Sequence, residues 1–386
     1  MNFSKAMKAA VIIFTGAIAA AGLTACGGIK TAADSPSKSG VKIGFIAALT
    51  GGAAAYGKSQ EEGIRMAVEE INQKGAIPIE LFVEDSKGSP SDAMNVTKRL
   101  IQKKAAVIIG PMTSNEAKAA GPIMQNAKIP SLEISVTAEG ITEIGDYIFR
   151  NSVPESMNIP QTAKKTHRLL GYETAAILYA HDNEQHVTAQ KYFRKTLEEE
   201  GVKIVDVETF GSKDSEYSAQ LTNIENAKPD VVIVCSYYQE GVRILKKMRE
   251  MGMNQPVLGD NGFVSPELGK MAGAAADNVY VSSMWSAARD TAATKMFVEN
   301  YTKKYGHAPD QFAAAAYDGV YMAMDAVQRA GSVTDTRKIR DAMAEMKGFN
   351  GVCGTFSFDA KRDPVVDLVL LKMEDGVFLA VGKQSS

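Results

Sequence analysis

The chain has 386 residues, 45% of them hydrophobic, and a formal net charge of −2 at pH 7. This length favours two domains, and the balanced charge excludes the basic surplus that is typical of nucleic-acid-binding proteins. With four histidines and three cysteines in no cluster of metal-ligand spacing, the sequence predicts no metal site and no cofactor.

The N-terminus has the pattern of a bacterial export signal. Lys5 and Lys8 supply positive charge, and residues 9–21 form an apolar segment too short for a transmembrane helix. Leu23-Thr24-Ala25-Cys26 then matches a lipobox, in which the signal peptide (1–25) is cut before a cysteine that carries a diacylglycerol. The alternative is an ordinary secretory signal with an incidental cysteine. We expect Cys26 to be a lipidated N-terminus.

Residues 26–40 are rich in Gly, Ser, Lys, Thr and Ala, a composition that cannot bury enough apolar surface to fold. This segment therefore predicts a flexible tether. Two acyl chains suffice for stable attachment, so the domain behind the tether is expected to be exported and held at the cell envelope. The sequence leaves open whether this is the periplasm or the outer face of the cytoplasmic membrane.

The next stretch alternates short apolar runs with amphipathic helical segments. Continuous apolar runs are typical of strands in a parallel sheet covered on both faces, and the alternation indicates right-handed βαβ units. The predicted strands are 41–49, 78–84, 106–110, 129–134 and 147–152, with helices at 57–74, 91–104 and 114–127.

A second alternating block follows Pro154, which predicts a second lobe. Its predicted helices are 156–170, 185–200, 215–226, 241–251 and 265–272, with strands at 175–180, 202–207, 230–235, 257–259 and 278–283. Helices at 291–305, 311–330 and 335–346 and strands at 355–358, 365–373 and 378–381 complete the chain. Cys235 ends an apolar run and is expected to be a buried thiol, whereas Cys353 lies in a turn. A disulfide between them is left open. The fold class is α/β with two Rossmann-like lobes.

At this point the sequence resembles the type I periplasmic solute-binding proteins, and within them the branched-chain amino-acid group of ABC importers. The resemblance covers the chain beyond the tether and depends on short motifs in a fixed order. These are Ile43-Gly44, Leu49-Thr50-Gly51, Ala55-Tyr56-Gly57, Glu70-Ile71-Asn72, Glu84-Asp85, Ile109-Gly110-Pro111 and the segment from Ile134 to Thr137.

The resemblance implies two lobes joined by a three-strand hinge, which close on a ligand bound between them. The first lobe would comprise 41–154 and 284–360, and the second 155–283 and 361–386. It further implies a monomer that binds a small amino acid and delivers it to permease and ATPase subunits. The chain would then be no enzyme, and no nucleic acid would be a partner.

The expected carboxylate site lies where a strand ends and a helix begins, because free N–H groups and the helix dipole favour an anion there. Ser114 stands at such a place and would act as both helix N-cap and ligand donor, although it could also only cap its helix. The resemblance adds Thr137, whose hydroxyl contacts the ligand, and Ser135, which offers backbone groups. Met112 would shape the side-chain pocket.

The resemblance also assigns aromatic walls to the pocket. Tyr56 would line it from the first lobe, Tyr237 would close over the ligand from the second, and Phe312 would border the cleft. Packing in the protein core is the alternative for each of them, most of all for Phe312, which begins an alanine-rich helix.

The expected partner of the ligand's ammonium group departs from the family pattern. The carboxylate position aligns with Asn261, while Asp260 stands one residue earlier, so either Asp260 pairs with the ammonium or Asn261 accepts a weaker bond. His186 replaces a frequent tyrosine. These departures keep an amide or short-chain acid open as the ligand.

Two other functions are compatible with the sequence. Gly52 to Ser59 satisfies the phosphate-loop pattern G-x-x-x-x-G-K-S, which would indicate a nucleotide-binding enzyme. The export signal and the role assigned to Tyr56 argue against it, and the sequence has no set of nucleophile, base and orienting residue. The second is a binding protein that reports its ligand to a membrane receptor, which sequence does not distinguish from transport.

Overall fold

The computed structural model describes residues 40–75 and 77–382. The predicted signal peptide, the predicted lipidation site Cys26 and the predicted tether up to residue 39 lie outside the described residues. Within the described ranges, no helix is long and apolar enough to cross a membrane.

The first part of the chain builds a parallel sheet. Apolar strands alternate with helices that cover the sheet: β1 (Val41–Ala47), α1 (Ala54–Lys74), β2 (Ile79–Asp85), α2 (Pro90–Gln102), β3 (Val107–Ile109), α3 (Ser114–Ala127), β4 (Ser131–Glu133) and β5 (Ile148–Arg150). In the described residues this sheet has five strands in the order β2-β1-β3-β4-β5, and every adjacent pair is parallel. Most of the strand residues are buried, as continuous apolar runs predict.

The second part of the chain repeats this pattern. Its elements are α4 (Glu155–Leu170), β6 (Thr174–Ala180), α5 (Glu184–Glu199), β7 (Lys203–Phe210), α6 (Ser218–Ala227), β8 (Val231–Cys235), α7 (Tyr238–Glu250), β9 (Val257–Gly259), α8 (Pro266–Ala272) and β10 (Val279–Ser283). Short 3₁₀ turns cover Thr142–Ile144, Asn261–Phe263 and Gly273–Ala276.

The last part of the chain contributes to both lobes. It consists of α9 (Ala292–Tyr305), α10 (Gln311–Ala330), α11 (Thr336–Ala344), β11 (Phe349–Gly351), β12 (Gly354–Phe358), β13 (Pro364–Val365), β14 (Val369–Glu374) and β15 (Val377–Ala380). The α10 side chains Ala316, Val320 and Ala323 share a buried cluster with Ile64 of α1, next to the first sheet. Strands β14 and β15 extend the second sheet, whose order in the described residues is β15-β14-β10-β9-β8-β6-β7.

The prediction of one strand over 365–373 is wrong. Pro364–Val365 pairs with β12 in a small antiparallel sheet, whereas Val369–Glu374 pairs with β10 in the second sheet. The chain crosses from one lobe to the other between these two strands, and residues 366–368 lack regular structure there. The short strand Phe349–Gly351 was not predicted, because it is too short and too exposed to show an alternating pattern.

The α/β class with two Rossmann-like lobes is confirmed. In the described residues the chain passes from the first large sheet to the second after β5, leaves the second sheet after β10, and returns to it from the small sheet β11-β12-β13 between β13 and β14. The residue bounds given for the lobes stay a prediction. Cys235 and Cys353 are both free and buried, and burial raises the pKa of each thiol well above its ordinary value.

Candidate functional site

Polar side chains from the two large sheets meet where strands β3, β4, β8 and β9 end. The residues predicted to bind a ligand lie in the loops after these strands or in the first turns of nearby helices. Of the described residues in this set, Ser114, Thr137 and Asp260 have no solvent exposure, and His186 is 1% exposed. The two lobes therefore enclose these groups, in the arrangement expected of a closed cleft.

Ser114 is not the N-cap of its helix. The cap of α3 is Thr113, whose hydroxyl accepts the N–H of Glu116 while the Glu116 side chain accepts the N–H of Thr113. This capping box satisfies the helix end without Ser114. The Ser114 hydroxyl instead accepts the N–H of Ala138 at 3.2 Å, which joins the loop after β3 to the loop after β4.

Ser135 and Met112 form one side of the cleft. The Ser135 hydroxyl donates to the carbonyl oxygen of Met112 at 2.6 Å and accepts from the Gln60 amide at 2.8 Å. Both bonds of the Ser135 hydroxyl are thus made within the protein, which is consistent with the expectation that its backbone offers the ligand contact. Met112 is 3% exposed and shares a buried cluster with Tyr56 and Phe312.

Thr137 is hydrogen-bonded to Glu155, a carboxylate that was not predicted from the sequence. Its hydroxyl donates to Glu155 Oε1 at 3.1 Å, and its carbonyl accepts the N–H of Glu155 at 2.9 Å. The same Oε1 accepts the N–H of Asn261 at 3.3 Å, and Oε2 accepts from the Asn158 amide at 3.2 Å. Glu155 therefore lies between residues of both lobes. In the sequence it is simply the acidic first residue of α4 after Pro154, a common position for a surface glutamate.

Burial controls the charge of Glu155. Removal from water, with a further contribution from the nearby Asp260 carboxylate, raises the pKa of Glu155 to about 8. The hydrogen bonds from Asn261, Asn158 and Thr137 act in the opposite direction, but they are outweighed. A cation placed beside this carboxylate would restore its ionised form.

Asp260 is engaged within the protein. Its Oδ2 lies 2.5 Å from His186 Nδ1, and its Oδ1 accepts the N–H of Gly262 at 3.0 Å. His186 and Asp260 are both fully enclosed, so this pair is shielded from water. Of the two alternatives for the ammonium partner, Asp260 thus has its own partners, while Asn261 contributes a backbone N–H to Glu155.

The predicted aromatic residues are in contact with one another. The Tyr56 ring lies 4.6 Å from that of Phe312 and 5.7 Å from that of Tyr237, and the Tyr237 ring packs edge-on against His186 at 4.7 Å. Tyr238, which was not predicted, also packs on Tyr56 at 5.1 Å. The structure thus brings the predicted residues together, and their role in binding stays a prediction.

A set of polar contacts at the rim of the cleft, here called the rim clasp, joins the lobes outside the buried site. Glu139 lies after β4 and binds Lys191 Nζ at 2.6 Å and the Tyr192 hydroxyl at 2.5 Å, both on α5. Asn115 of α3 donates to the carbonyl of Asp182 at 3.1 Å and accepts the N–H of Glu184 at 2.9 Å. Sequence patterns do not reveal such contacts, because each one joins distant surface positions.

The phosphate-loop pattern has another structural explanation. Helix α1 begins at Ala54, so Tyr56, Gly57 and Lys58 are helical and do not belong to a loop. A Cβ at Gly57 would lie 2.1 Å from the carbonyl oxygen of Ala48, so the glycine is required for packing against the end of β1. Lys58 is exposed, and Ser59 donates to Asp310. Among the residues that the structure describes, no group of three or more His, Cys, Asp or Glu side chains could hold a metal ion.

Comparison with known proteins gives a consistent result for the fold and for the class of function. The chain matches the periplasmic binding protein family over residues 40–376. A leucine-binding protein from Thermotoga maritima is similar with a TM-score of 0.85 and 28% identity, over 89% of this chain and 98% of that one. A branched-chain amino acid transporter substrate-binding protein from Streptococcus pneumoniae, in complex with isoleucine, has a TM-score of 0.83 and 31% identity, over 88% and 98% of the two chains.

A third solved structure carries a different ligand. It is a solute-binding protein of an ABC transporter from Rhodopseudomonas palustris in complex with 3,4-dihydroxybenzoic acid, with a TM-score of 0.81 and 27% identity over 88% of this chain and 96% of that one. Proteins of this fold with comparable similarity to the chain thus bind both amino acids and aromatic acids.

Proposed function

The chain belongs to the periplasmic binding protein family, as its sequence motifs predict, and from this premise we propose that it captures a small amino acid in the interlobe cleft for an ABC importer. The observation that supports this most is that hydrogen-bond donors and carboxylates both border the cleft. The Ser114 hydroxyl lies at the N-terminal end of α3, the Glu155 carboxylate accepts from the Thr137 hydroxyl, and the Asp260 carboxylate lies in the loop after β9. A zwitterion with a carboxylate and an ammonium group fits this arrangement.

Binding would be coupled to closure of the lobes. The carboxylate of the ligand would bind first to donors of one lobe, namely the hydroxyls of Ser114 and Thr137 and nearby backbone N–H groups. Tyr237 and the acidic residues would then contact the ligand from the other lobe, while Tyr56, Met112 and Phe312 enclose its side chain. Closure becomes favourable because the ligand has contacts in the closed form that the open form lacks.

Lipid anchoring at Cys26 forms part of the same proposal. The lipobox and the tether would keep the protein at the membrane surface, where the closed form docks on the permease subunits. Metabolic labelling with a radioactive fatty acid tests this directly. Label is expected on the wild-type protein and not on Cys26→Ser, and equal labelling of both would contradict lipidation at Cys26.

The aromatic side chains support a second candidate, an aromatic or short-chain acid with no amine. Tyr56, Tyr237 and Phe312 together provide apolar ring surface, and the position at which the family has a carboxylate holds the neutral Asn261. An acid without an amine would use the same hydroxyl donors and would leave Glu155 protonated. The relative that binds 3,4-dihydroxybenzoic acid provides the precedent.

A thermal-shift screen of the purified protein separates the candidates. The panel contains the common amino acids, their amides, short-chain acids, hydroxybenzoates, and ATP with magnesium. A ligand at about 100 times its dissociation constant adds about 2.7 kcal/mol of stability, which gives a clear shift. A shift with an amino acid supports the proposal, a shift with acids alone supports the second candidate, and a shift with ATP and magnesium alone would contradict both.

A further inference from the structure

We propose that Glu155 selects ligands that carry a protonated primary amine, and that neither Asp260 nor Asn261 does so. This inference rests on the proposed function, since it concerns the same cleft. It differs from the family pattern, in which the carboxylate that meets the amine aligns with Asn261.

The position of Glu155 supports this role. Its Oε1 accepts hydrogen bonds from the Thr137 hydroxyl and the Asn261 N–H. The carboxylate therefore lies beside the threonine predicted to contact the ligand and beside the loop after β9 of the second sheet. An ammonium group bound next to Thr137 would therefore lie within reach of Glu155. Because Glu155 begins α4, directly after the first crossing between the lobes, it keeps this position next to the hinge.

The other acidic groups near the amine are less available. Asp260 Oδ2 is paired with the buried His186 ring at 2.5 Å, whereas Glu155 accepts from a hydroxyl, an amide and a backbone N–H. Asn261 carries no charge. Asp260 also acts electrostatically on Glu155, and both carboxyl groups contribute to the raised pKa of the buried Cys235 thiol. Among the residues that the structure describes, Glu155 thus has neutral donors and no cation as partners.

A buried carboxylate without a cation is costly, and this cost provides the selectivity. An isolated charge transferred from water into the protein is unfavourable unless a partner compensates it. A ligand ammonium would compensate Glu155, whereas a ligand with no amine would leave it protonated or uncompensated. A ligand with an amine therefore favours closure of the two lobes around Glu155, whereas an amine-free acid of the same shape does not.

The test uses titration calorimetry with pairs of probes that differ only in the amine. These are leucine and 4-methylpentanoate, valine and 3-methylbutanoate, and alanine and propanoate. For the wild-type protein we expect binding of an amino acid and at least tenfold weaker binding of its amine-free acid. For Glu155→Gln the affinity for the amino acid should fall roughly 10- to 100-fold, since a charge-assisted bond is lost.

The pH profile distinguishes a direct role of Glu155 from a structural one. Ammonium binding requires the ionised carboxylate, so wild-type affinity for the amino acid should rise between pH 6 and 8, with release of a proton, and Glu155→Gln should lack this rise. Glu133→Gln is the matched control. It changes a buried carboxyl outside the cleft that bonds to Ser131, and it should keep wild-type affinity and the wild-type pH profile.

The outcomes separate the two proposals. If Glu155→Gln binds the amino acid as the wild type does while Asp260→Asn loses it, the inference is overturned and the proposed function stands. If the wild-type protein binds an amine-free acid as tightly as its amino acid, the inference also fails. Binding of none of the amino acids would overturn the proposed function together with the inference.

Discussion

The hydroxyl of Tyr56 donates to the carbonyl oxygen of Gly262 at 2.5 Å, and so connects the first turn of α1 to the loop after β9. The same hydroxyl accepts the N–H of Tyr238 at 2.8 Å, at the start of α7. Both partners belong to the second sheet's side of the cleft, whereas Tyr56 belongs to the first. Tyr56 therefore contributes a hydrogen-bonded bridge across the cleft in addition to the apolar wall predicted from the sequence.

We expect Tyr56→Phe to weaken ligand binding roughly tenfold. The change keeps the ring but leaves the Gly262 carbonyl and the Tyr238 N–H unpaired when the lobes close, and a lost hydrogen bond of this kind is worth about 1 kcal/mol or more. Calorimetric titration with leucine, or with the amino acid that the screen identifies, measures the effect. Tyr305→Phe is the control, because its hydroxyl bonds to the Glu62 carbonyl at the far side of α1. Equal affinities of Tyr56→Phe and Tyr305→Phe would argue against the bridge.

The carboxylate site gives a second prediction. The double substitution Ser114→Ala and Thr137→Ala removes two hydroxyl groups at the end of the cleft assigned to the ligand carboxylate. Affinity should fall at least roughly tenfold, as expected for lost hydrogen bonds to a charged group. Thr97→Ala serves as the control, because its buried hydroxyl donates within α2, to the Ala93 carbonyl. An unchanged affinity of the double variant would place the carboxylate elsewhere.

The rim clasp gives a third, smaller effect. Glu139→Gln removes the ionic contact with Lys191, and since exposed pairs contribute less than about 1 kcal/mol, affinity should fall no more than roughly fivefold. The loss should shrink at high salt, because screening weakens exposed pairs. Lys195→Gln, at an exposed position on the same helix, is the control. If wild type and Glu139→Gln have the same dissociation constant at low and at high salt, the clasp does not contribute to binding.

The clasp also has a defined pH dependence. Hydrogen bonds from Lys191 and Tyr192 lower the pKa of Glu139 below its ordinary value. A lowered pKa means that the contribution is fully present above the ordinary value of about 4.5 and is lost as the pH falls through the lowered one. The difference between wild type and Glu139→Gln should therefore stay constant from pH 8 to 5 and decrease only as the pH falls below the ordinary pKa of about 4.5.

The sequence predicted helices and strands accurately where residues at their own ends mark the boundaries. The bounds of α3, α10 and β9 are those expected from the sequence, since capping residues and glycines mark their ends. The strand over 365–373 was misplaced because two short apolar runs, which belong to different sheets, look continuous in the sequence. Only the tertiary pairing separates them.

The sequence predicted those site residues that belong to the family motifs, and it did not predict the others. Ser114, Thr137 and Tyr56 were placed in the cleft by resemblance, but Thr137 and Asn261, the partners of Glu155 from other loops, are separated from it by 18 and 106 residues. No local periodicity encodes such contacts. The N-cap of α3 was misassigned for a simpler reason, since Thr113 and Ser114 are adjacent residues that both favour caps.

The last prediction concerns Glu133, a buried carboxyl of β4. Burial, with a contribution from Glu116, raises the pKa of Glu133 to about 8, against the opposing influence of Ser131 and Arg150. Because the folded protein holds this proton and the unfolded chain releases it near pH 4.5, the contribution of Glu133 to stability falls as the pH rises from about 4.5 to 8, by at most about 1.4 kcal/mol per pH unit. Glu133→Gln removes this dependence. Its melting temperature should exceed that of the wild type by a few degrees at pH 8 and approach it at pH 5. A constant difference between the two proteins over this range, measured by calorimetry without ligand, would show that the Glu133 carboxyl is ionised in the folded protein.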